Sequence, residues 1–570
     1  MKLPLKLPYG ISNFRDLIQQ GYYYVDKTPF VELLESYGEK YFFFLRPRRF
    51  GKSLFVSMLS YYYDTRYAHL FEELFGKFYI GQNPTPLANQ YAILQLRFSG
   101  IDTTSKETTY GDFLRNVHLG VQSFLKEYAK EEFEHVSPAI LSANSPAGIL
   151  SNLFAYFKDK EHKIYLIIDE YDHFANELLA FDFDSFKEFV SRNGFVRKFY
   201  EVIKDFTFEG TVDRLFVTGV SPITLDSLTS GFNIGTNIST ELAFNDMIGF
   251  QELEVLEILE SITQGDEAQI QEIMPNLKEW YDGYKFNEDF ESHIYNSNMV
   301  LYFAKHYQRY QTYPKPILDI NIASDYSKLR KLFNLKNPNE NYQVLEEIVR
   351  EKVVIGNLTA QFSFEKDFGR DDFLSLLYYL GYLTIAGSQV GSTLFKVPNY
   401  VIEKLFLDYF AHLLQEREQI QWNTEEIRRG MEEMALNGNP KPFMQMIQNI
   451  LEHLSSRDFR GFDEKYIKLL IISLALQSQA YFIKSEREVS GGYTDIQFLE
   501  RKPVEVPYQF IFELKYLKKE AAKKLEEVKT QAQDQLRQYI SSSEELRRLN
   551  NLKVFVLVVI KDKINLFELN

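Results

Sequence analysis

The sequence predicts an α/β protein: a parallel sheet with helices on both faces, then a helical lid, a winged-helix-like module and a second α/β domain. Strand-like apolar runs alternate with helical patterns over the first half of the chain, which is typical of a mostly parallel sheet. The candidate strands are 41–45, 91–98, 164–169 and 214–220, and the helical patterns between them include 112–130 and 183–205. A separate order over 460–570 predicts the second α/β domain: a helix at about 464–477, three strands, a long helix at about 518–541 and a last strand.

Changes of pattern along the chain predict five segments. They are the sheet domain 1–260, the helical lid 261–340, the winged-helix-like module 341–415, a helical connector 416–460 and the last domain 461–570. Within the third segment, the helical run 373–383 precedes two apolar pieces, 384–386 and 393–397, that predict a hairpin. Such a module either contacts DNA or serves as a structural lid, and the sequence leaves both open.

Composition excludes several classes of protein. The 570 residues contain no cysteine, so disulfides, thiolate catalysis and cysteine-based zinc sites are excluded. Residues 1–8 are broken by prolines and do not resemble a signal peptide, and no apolar run is long enough to span a bilayer. We therefore expect a cytoplasmic protein with no membrane partner. The net charge of −15 argues against a surface coated for nucleic acid. Local basic grooves stay open at 46–52 and 515–529, although interleaved glutamates favour a solvated helix face for the second.

Residues 46–53 form the most informative motif. They read Arg-Pro-Arg-Arg-Phe-Gly-Lys-Ser between a strand-like run and a helical segment, the layout of a phosphate-binding P-loop. We expect Lys52 to reach the β- and γ-phosphates of ATP, Ser53 to ligate Mg²⁺, and backbone N–H groups to hold phosphate oxygens. The general pattern places a glycine where this chain has Arg46. The predicted nucleotide-binding residues of the loop are Arg48, Arg49, Gly51, Lys52 and Ser53.

The run 164–168 ends in two acids, Asp169 and Glu170. Ligands of parallel sheets bind at the carboxyl ends of the strands, where these acids are expected. Asp169 is predicted to hold Mg²⁺ through a water, and Glu170 to orient or deprotonate the water that attacks the γ-phosphate. A third run ends in hydroxyls, so Thr218 or Ser221 is a candidate sensor of the γ-phosphate. A plain core strand is the alternative there.

Three charged residues predict a second site near the carboxyl end. Glu513 and Lys515 lie two residues apart on one predicted strand, so their side chains leave the same face, and Asp495 lies on the preceding predicted strand. Two carboxylates and a lysine on one face suit a hard cation such as Mg²⁺, which activates water, while the lysine offsets charge on the pentavalent transition state. A surface hairpin with an exposed salt bridge is the alternative that spacing leaves open.

Taken together, these motifs resemble a family of bacterial AAA-ATPase-like proteins, whose members commonly end in a nuclease-like domain of the PD-(D/E)XK superfamily. The resemblance covers nearly the whole chain and implies a P-loop NTPase sheet and a restriction-endonuclease-like last domain. An arginine-rich P-loop is usual in that family, so Arg46 does not depart from it. The segments that carry the resemblance are 24–28, 46–53, 169–172, 281–284, 294–296, 485–486, 492–496 and 512–515.

The resemblance also implies roles for single residues. Asp495 and Glu513 would be metal ligands, Lys515 the catalytic lysine, and Glu486 an accessory acid at the metal, with Glu488 as its alternative. Gln535 and Tyr539 resemble the helix motif of the superfamily. The arginine that usually precedes the aspartate is replaced by Tyr493-Thr494, which weakens the expected contacts to DNA.

Two functions remain open from the sequence. One is an ATP-gated, Mg²⁺-dependent nuclease, favoured by the intact charged triad, with DNA favoured over RNA as its substrate. The other is a nucleotide-switched interaction protein whose nuclease fold binds but does not cut, which the overall acidity favours mildly. A homo-oligomer is left open, and Arg192, Arg197 and Arg214 are equal candidates for an arginine finger.

Overall fold

The computed structural model describes residues 5–181, 183–190, 194–223, 234–318, 326–335, 337–362, 368–456, 463–489 and 492–569. The chain forms two compact units. The first unit comprises Met1–Arg309, Lys331–Asn341 and Val353–Asn399, and the second comprises Tyr310–Arg330, Tyr342–Lys352 and Tyr400–Asn570. These two units combine separate ranges of the chain and do not follow the five predicted segments, so the five-segment division stays a prediction.

The first unit is built on a parallel sheet, in which the described residues contribute five strands in the order β2-β3-β4-β1-β5. The strands are β1 (Tyr41–Leu45), β2 (Ala92–Arg97), β3 (Ile164–Asp169), β4 (Val212–Gly219) and β5 (Thr236–Asn237). Every residue of β3 is buried, as its continuous apolar run predicts for a strand covered on both faces. All four strand predictions are confirmed, and β5 was missed because two residues carry no periodic signal.

Helices connect and cover these strands, and α3, α6 and α11 pack on the sheet. Helices of the first half are α1 (Phe14–Gln19), α2 (Pro29–Ser36), α3 (Lys52–Tyr63), α4 (Phe71–Phe75), α5 (Tyr79–Gln82), α6 (Lys106–Tyr128), α7 (Phe133–Leu141), α8 (Pro146–Phe157), α9 (His173–Phe181), α10 (Phe183–Val190) and α11 (Phe195–Phe208). Two short 3₁₀ segments lie at Thr65–Leu70 and Leu242–Phe244. The helical pattern expected over 183–205 is confirmed and forms two helices, α10 and α11, the second of which is capped by Gly194.

Helices and a small antiparallel sheet follow the parallel sheet. The helices are α12 (Glu252–Ile262), α13 (Glu267–Tyr281), α14 (Ser297–Tyr310), α15 (Tyr326–Phe333) and α16 (Pro338–Glu351). The sheet, three strands among the described residues, has the order β6-β8-β7, from β6 (Val353–Gly356), β7 (Thr384–Gln389) and β8 (Ser392–Lys396), and α17 (Arg370–Tyr379) connects β6 to β7. The predicted hairpin is therefore confirmed. Its turn places both Val390 and Gly391 at positive φ, as a tight hairpin turn requires.

The second unit contains a mixed sheet, which has the order β13-β12-β11-β10-β9 within the described ranges. Its strands are β9 (Tyr481–Val489), β10 (Gly492–Glu500), β11 (Gln509–Leu517), β12 (Leu552–Ile560) and β13 (Lys563–Glu568). Only the β11–β12 pair is parallel. The predicted order of helix, three strands, helix and strand is confirmed, and the sequence reading missed the added edge strand β13.

Helices complete the second unit. They are α18 (Tyr400–Glu418), α19 (Thr424–Asn437), α20 (Lys441–Ser456), α21 (Glu464–Ala475), α22 (Leu525–Ser542) and α23 (Glu544–Arg547), with a 3₁₀ segment at Lys519–Lys524. The predicted helix 518–541 thus begins with this 3₁₀ segment. Helix α22 packs its apolar side on the β11–β12 pair, and the buried contacts include Leu536, Ile511 and Val556. Across the described parts of the chain, we find no helix with the length and apolarity needed to cross a membrane.

Candidate nucleotide and metal sites

The carboxyl ends of β1, β3 and β4 bring the P-loop and the two acids to one edge of the sheet. Strand β4 lies between β1 and β3, and parallel register pairs Leu45 with Gly219 and Ile168 with Val217. Gly51 ends the loop at φ +103° and caps α3, a conformation that a side chain would strain. The expected strand, loop and helix are therefore confirmed.

Lys52 is folded back against its own loop. Its Nζ donates to the carbonyl oxygens of Arg46 at 2.7 Å and Pro47 at 2.9 Å, and the side chain is buried. Burial lowers the pKa of Lys52 to about 8, and the nearby carboxylates of Asp172, Asp169 and Glu170 act in the opposite direction. The ammonium thus has two carbonyl partners in place of phosphate oxygens.

A cavity of about 470 Å³ opens beside the loop. The predicted residues that line it are Arg48, Arg49, Gly51, Lys52, Ser53 and Glu170. Its remaining wall includes the apolar side chains of Ile11, Tyr24, Val25, Phe250 and Leu301. A volume of roughly 300–1,000 Å³ lined by both polar and apolar side chains suits a small-molecule ligand such as a nucleotide.

Asp169 and Ser53 meet across two neighbouring elements. Ser53 lies at the start of α3 close enough to Asp169, the last residue of β3, to lower the pKa of its carboxyl, and Asp169 Oδ1 is buried without a hydrogen-bond partner. Burial raises the pKa of Asp169, while Ser53 and Lys52 oppose that rise. A hydroxyl and a carboxylate with an open oxygen are hard oxygen donors, so these residues fit Mg²⁺. Glu170 turns the chain at φ +55° and lies at the cavity wall.

The two candidate sensors of the γ-phosphate, Thr218 and Ser221, are both buried in the fold. Ser221 is fully buried and donates to Asp172 at 3.0 Å and to Asn176 at 2.7 Å. Thr218 is also fully buried, its hydroxyl has no hydrogen-bond partner, and it is not part of the cavity wall. The structure therefore does not bring Thr218 to the residues around Lys52, and its role as a sensor stays a prediction.

Asp172 was missed as a functional position and organises the end of β4. Its carboxylate accepts from the backbone N–H groups of Val220 at 3.0 Å and Ser221 at 2.6 Å. Asn176 donates to the same carboxylate at 2.6 Å. The signal in the sequence was the acid three residues after Asp169, in the segment that carried the family resemblance.

Arg46 has a buried structural position instead of a place in the cavity. Its guanidinium donates to the carbonyl oxygens of Leu45 at 3.0 Å and Phe244 at 2.9 Å, and also to that of Ser239. The rings of Phe44 and Phe286 lie 4.5 and 4.0 Å from it. Burial lowers the pKa of Arg46 to about 10. The residue that replaces the usual glycine therefore anchors the loop to distant parts of the first unit.

The structure gives partners for two of the three arginine-finger candidates. Arg192 lies outside the described residues. Arg197 pairs with Glu201 on the same helix at 2.9 Å. Arg214 is buried and its Nε donates to the Tyr91 hydroxyl at 3.3 Å. Both described candidates therefore have partners inside their own unit.

In the second unit, the sheet opens where the predicted triad lies. Backbone pairing of β10 with β11 runs from Phe498 to Ile496, and the next residue, Asp495, uses its side chain instead. Its Oδ2 accepts the backbone N–H of Leu514 at 2.8 Å. Lys515 Nζ lies 2.8 Å from Glu513 Oε1 and 3.9 Å from Asp495 Oδ2. The prediction that the three side chains cluster on one face is confirmed, and the exposed hairpin alternative is wrong because Glu513 is only 1% exposed.

The surroundings of Glu513 disfavour the charged form of its carboxyl. Burial and then the Asp495 charge raise the pKa of Glu513 to about 7, against the opposing effect of Lys515. Its Oε2 is buried without a hydrogen-bond partner. Burial opposes the charged form of Lys515, yet the carboxylates of Glu513 and Asp495 raise its pKa. An open carboxylate oxygen beside a second carboxylate fits a hard divalent cation.

Sequence reasoning missed two residues of this site, both on α21. Lys468 Nζ lies 2.8 Å from Glu486 Oε1 and 3.4 Å from Asp495 Oδ1. Burial raises the pKa of Glu464, with Lys515 opposing and Asp495 adding to the rise, so its carboxyl lies close to both residues. Both were inside the predicted helix 464–477, but nothing local to a helix shows which strand it covers.

Glu486 is placed differently from the metal ligand that the resemblance implies. It lies opposite Asp495 in the β9–β10 register and pairs with Lys468, and its role as an accessory acid stays a prediction. Side-chain detail at Glu488 lies outside the described residues. In the described portion of the chain, no three acidic or histidine side chains are grouped to hold a metal ion. Asp495 and Glu513 are thus the two carboxylates that fit Mg²⁺, which commonly keeps several waters.

The helix motif lies behind β10. Gln535 Nε2 donates to the Tyr539 hydroxyl at 2.5 Å, and a side chain at Gly492 would collide with the Tyr539 ring. Tyr493 is exposed, whereas Thr494 is buried and accepts from Gln497 at 2.7 Å. The pair that replaces the usual arginine therefore offers one exposed aromatic ring and no cation.

Comparison with known proteins identifies two domains. Residues 8–229 match a family model described as a predicted AAA-ATPase, and residues 462–568 match the PD-(D/E)XK nuclease superfamily. An uncharacterized protein in the vnfD 5′ region of Azotobacter chroococcum mcd 1 is 27% identical over 304 residues, which are 53% of this chain and 52% of that protein. The chain therefore spans about half the length of the curated relative that it matches.

Solved structures similar to this chain include three archaeal proteins. A Walker-type ATPase of Pyrococcus abyssi has a TM-score of 0.37 at 11% identity and covers 71% of this chain and 99% of its own. Cdc6p of Pyrobaculum aerophilum has a TM-score of 0.27 at 11% identity, covering 70% and 97%. The ORC2 protein of Aeropyrum pernix has a TM-score of 0.30 at 10% identity, covering 72% and 96%.

Proposed function

This chain joins a predicted AAA-ATPase domain to a domain of the PD-(D/E)XK nuclease superfamily, and on that premise we propose that it is an ATP-binding and ATP-hydrolysing protein with an Mg²⁺-dependent nuclease site. DNA is the expected nucleic acid. The observation that carries the ATPase half is that Lys52, Ser53 and Glu170 line one cavity. This cavity brings the P-loop to the acidic end of β3, where Asp169 directly precedes Glu170.

The residues of the cavity divide the work of the ATPase. Lys52 leaves the carbonyls of Arg46 and Pro47 and binds the β- and γ-phosphates, which satisfy its charge better than neutral oxygens. Ser53 and Asp169 would hold Mg²⁺, which neutralises charge on the phosphates. Glu170, at the wall of the same cavity, orients and deprotonates the attacking water. The apolar wall around Tyr24, Val25 and Phe250 receives the base.

The nuclease half rests on the buried Glu513 beside Asp495 and Lys515. Asp495 and Glu513 would hold Mg²⁺, which would lower the pKa of a bound water and so supply a nucleophile for the phosphodiester. Lys515 Nζ lies 2.8 Å from Glu513 Oε1 and 3.9 Å from Asp495 Oδ2. It orients the water or offsets charge that develops on the phosphate. Glu513 is buried beside the half-buried Asp495, and its Oε2 has no hydrogen-bond partner, so the arrangement supports a function that binds a cation there.

ATP binding is tested by substitution in the loop. Lys52→Ala removes the cation that holds the phosphates, so we expect labelled ATP to bind at least tenfold more weakly than to the parent. Lys40→Ala is the matched control, because Lys40 is a half-exposed lysine that pairs with Asp213 just before β1. Asp169→Asn and Glu170→Gln should impair hydrolysis more than binding. Equal ATP affinity in Lys52→Ala and the parent would remove the P-loop assignment.

Nuclease action is tested with the full chain and Mg²⁺, with and without ATP, on single- and double-stranded DNA and RNA. Glu513→Gln and Lys515→Ala should abolish cleavage, whereas Lys518→Ala should not, because Lys518 is exposed just beyond the same strand. Metal binding should raise the melting temperature of the parent by mass action. Asp495→Asn should lose that rise.

The second candidate function is a nucleotide-switched protein that binds nucleic acid or protein without cutting it. The observation that favours it is the replacement of the usual arginine by exposed Tyr493 and buried Thr494. The same assays separate the two functions. Nucleotide-dependent binding with no cleavage of any nucleic acid in Mg²⁺ or Mn²⁺ would support the interaction protein and exclude the nuclease.

A further inference from the structure

Lys468 is a buried lysine at the nuclease-like site that no motif accounts for. It lies on α21 between apolar neighbours, is 7% exposed, and extends its Nζ to the carboxylates of Glu486 and Asp495. Register places Glu486 directly opposite Asp495 on the paired strands β9 and β10. The ammonium therefore lies close to both carboxylates of a cross-strand acidic pair.

The oxygen atoms of Asp495 are used on two sides. Oδ1 lies 3.4 Å from Lys468 Nζ, and Oδ2 accepts from the Leu514 backbone and lies 3.9 Å from Lys515 Nζ. In this cluster, Glu513 Oε2 is a buried carboxylate oxygen without a hydrogen-bond partner. The oxygen that is free to bind a metal therefore lies on the Glu513 side of Asp495. On the Glu486 side, the Lys468 ammonium already lies between the two carboxylates.

A metal ion bridging Asp495 and Glu486 would need to lie about 2.1 Å from an oxygen of each. Lys468 Nζ is already 2.8 Å from one and 3.4 Å from the other. An ammonium and a divalent ion repel each other strongly at such separations. On the other side of Asp495, Lys515 contacts only Oε1 of Glu513 and lies 3.9 Å from Asp495, so Oε2 of Glu513 is left for the ion. The residues on either side of Lys468 in the helix, Ile467 and Leu469, are buried. If the ammonium moved away from the two carboxylates to admit a metal ion, it would remain buried without a partner of opposite charge.

We propose that the nuclease-like site takes a single divalent ion, at Asp495 and Glu513, and that Lys468 permanently replaces a second ion between Asp495 and Glu486. This inference rests on the proposed metal-dependent function. Lys468 is a positioning residue: it holds the outer oxygen of Asp495 and the Glu486 carboxylate in place, and leaves the inner side of Asp495 to the metal.

The experiment counts Mn²⁺ ions on the full chain without nucleotide, by calorimetric titration and by electron paramagnetic resonance. The measured quantity is the number of ions lost on Asp495→Asn, which subtracts any ion bound elsewhere. We expect one ion in the parent, with no exchange coupling between manganese ions. Lys468→Met keeps the length of the side chain and removes its charge, so two ions and an exchange-coupled spectrum are expected there.

Lys465→Met is the matched control, because Lys465 lies on the same helix and pairs with Glu351 instead; it should keep a single ion. Two coupled ions in the parent would overturn the proposal, a result that needs no variant. One ion in both the parent and a folded Lys468→Met or Lys468→Gln variant would overturn the role of Lys468. No ion lost on Asp495→Asn would remove the metal site itself, and with it the proposed nuclease function.

Discussion

Burial sets the protonation behaviour of single charged residues in this protein. It lowers the pKa of Lys52 to about 8 and raises the pKa of Glu513 to about 7, each toward neutrality. Both residues belong to the proposed sites, where a ligand of opposite charge would reverse the shift. Asp282, in the segment 281–284, is a third buried group and touches neither site.

Asp282→Asn should stabilise the protein in a pH-dependent way. Burial raises the pKa of Asp282 from 3.8 to about 6, and the residue is 4% exposed. The folded state therefore favours the protonated carboxyl of Asp282. The contribution of Asp282 to the stability of the parent is highest below pH 4, where this carboxyl is protonated in the folded and unfolded states, and it falls as pH rises through 6. Relative to the parent, the variant should gain up to about 3 kcal/mol between those values.

Unfolding of both proteins in denaturant at pH 4, 5, 6 and 7 measures this gain. Asp289→Asn, at an exposed position seven residues after Asp282, controls for the loss of a charge. A difference between Asp282→Asn and the parent that stays constant over the four pH values would contradict the assignment.

At the scale of elements, the P-loop is shaped by chain segments far from it in sequence. The backbone N–H of Asn298 donates to the Arg49 carbonyl at 3.3 Å, and that of Gly249 to the Phe50 carbonyl at 3.1 Å. The ring of Phe50 packs edge-on against Tyr284 at 4.9 Å. The segments 281–284 and 294–298 are therefore structural supports of the nucleotide loop.

Arg46→Met should loosen this loop. It leaves the buried carbonyl of Ser239 without its Arg46 donor and that of Phe244 with only the longer bond from the Met247 backbone, at a cost of about 2–4 kcal/mol in unfolding free energy. ATP affinity should fall as well, because the loop that positions Lys52 loses its anchor. Arg46→Lys should behave nearly as badly, since an ammonium cannot span carbonyls that a planar guanidinium reaches. Denaturant unfolding and ATP titration of the three proteins measure both effects. Parent-like stability in Arg46→Met would show that these hydrogen bonds contribute little.

Gly283→Ala and Gly391→Ala separate backbone strain from a steric clash. Both glycines have positive φ, +100° and +82°, but a Cβ at 283 would lie 1.9 Å from the Pro398 carbonyl oxygen, whereas nothing lies within 4 Å at 391. Gly391→Ala should cost about 1 kcal/mol for the left-handed conformation. Gly283→Ala should cost several times more, because two backbone segments must separate. Equal melting temperatures of the two variants would contradict the close approach.

The whole molecule combines two proposed Mg²⁺-using centres, one in each compact unit. An unregulated nuclease would endanger its own cell, and a γ-phosphate can order segments that relax when it is lost. We therefore expect the nucleotide state to change DNA affinity or cleavage. DNA should change ATP affinity by the same factor as ATP changes DNA affinity.

DNA affinity and cleavage should be measured without nucleotide, with ADP and with a non-hydrolysable ATP analogue. Lys52→Ala should lose the response to the analogue. Identical values under all these conditions would mean that the two domains act independently on one chain.

Local sequence determined the parts of this protein that depend on neighbours in the chain. The strand, loop and helix around 46–53, the acids after β3, and the shared face of Glu513 and Lys515 all follow from periodicity and spacing over a few residues. These features depend on backbone geometry, which repeats every two or 3.6 residues and is therefore visible in the sequence.

Tertiary structure alone decided which distant residues meet. Arg46 donates to a carbonyl 193 residues away, and Lys468 reaches an acid 27 residues away on another element. The same packing buries Thr218 away from the cavity and commits Ser221 to Asp172. Such contacts depend on how helices and strands pack, and packing is a property of the whole core that no local spacing encodes.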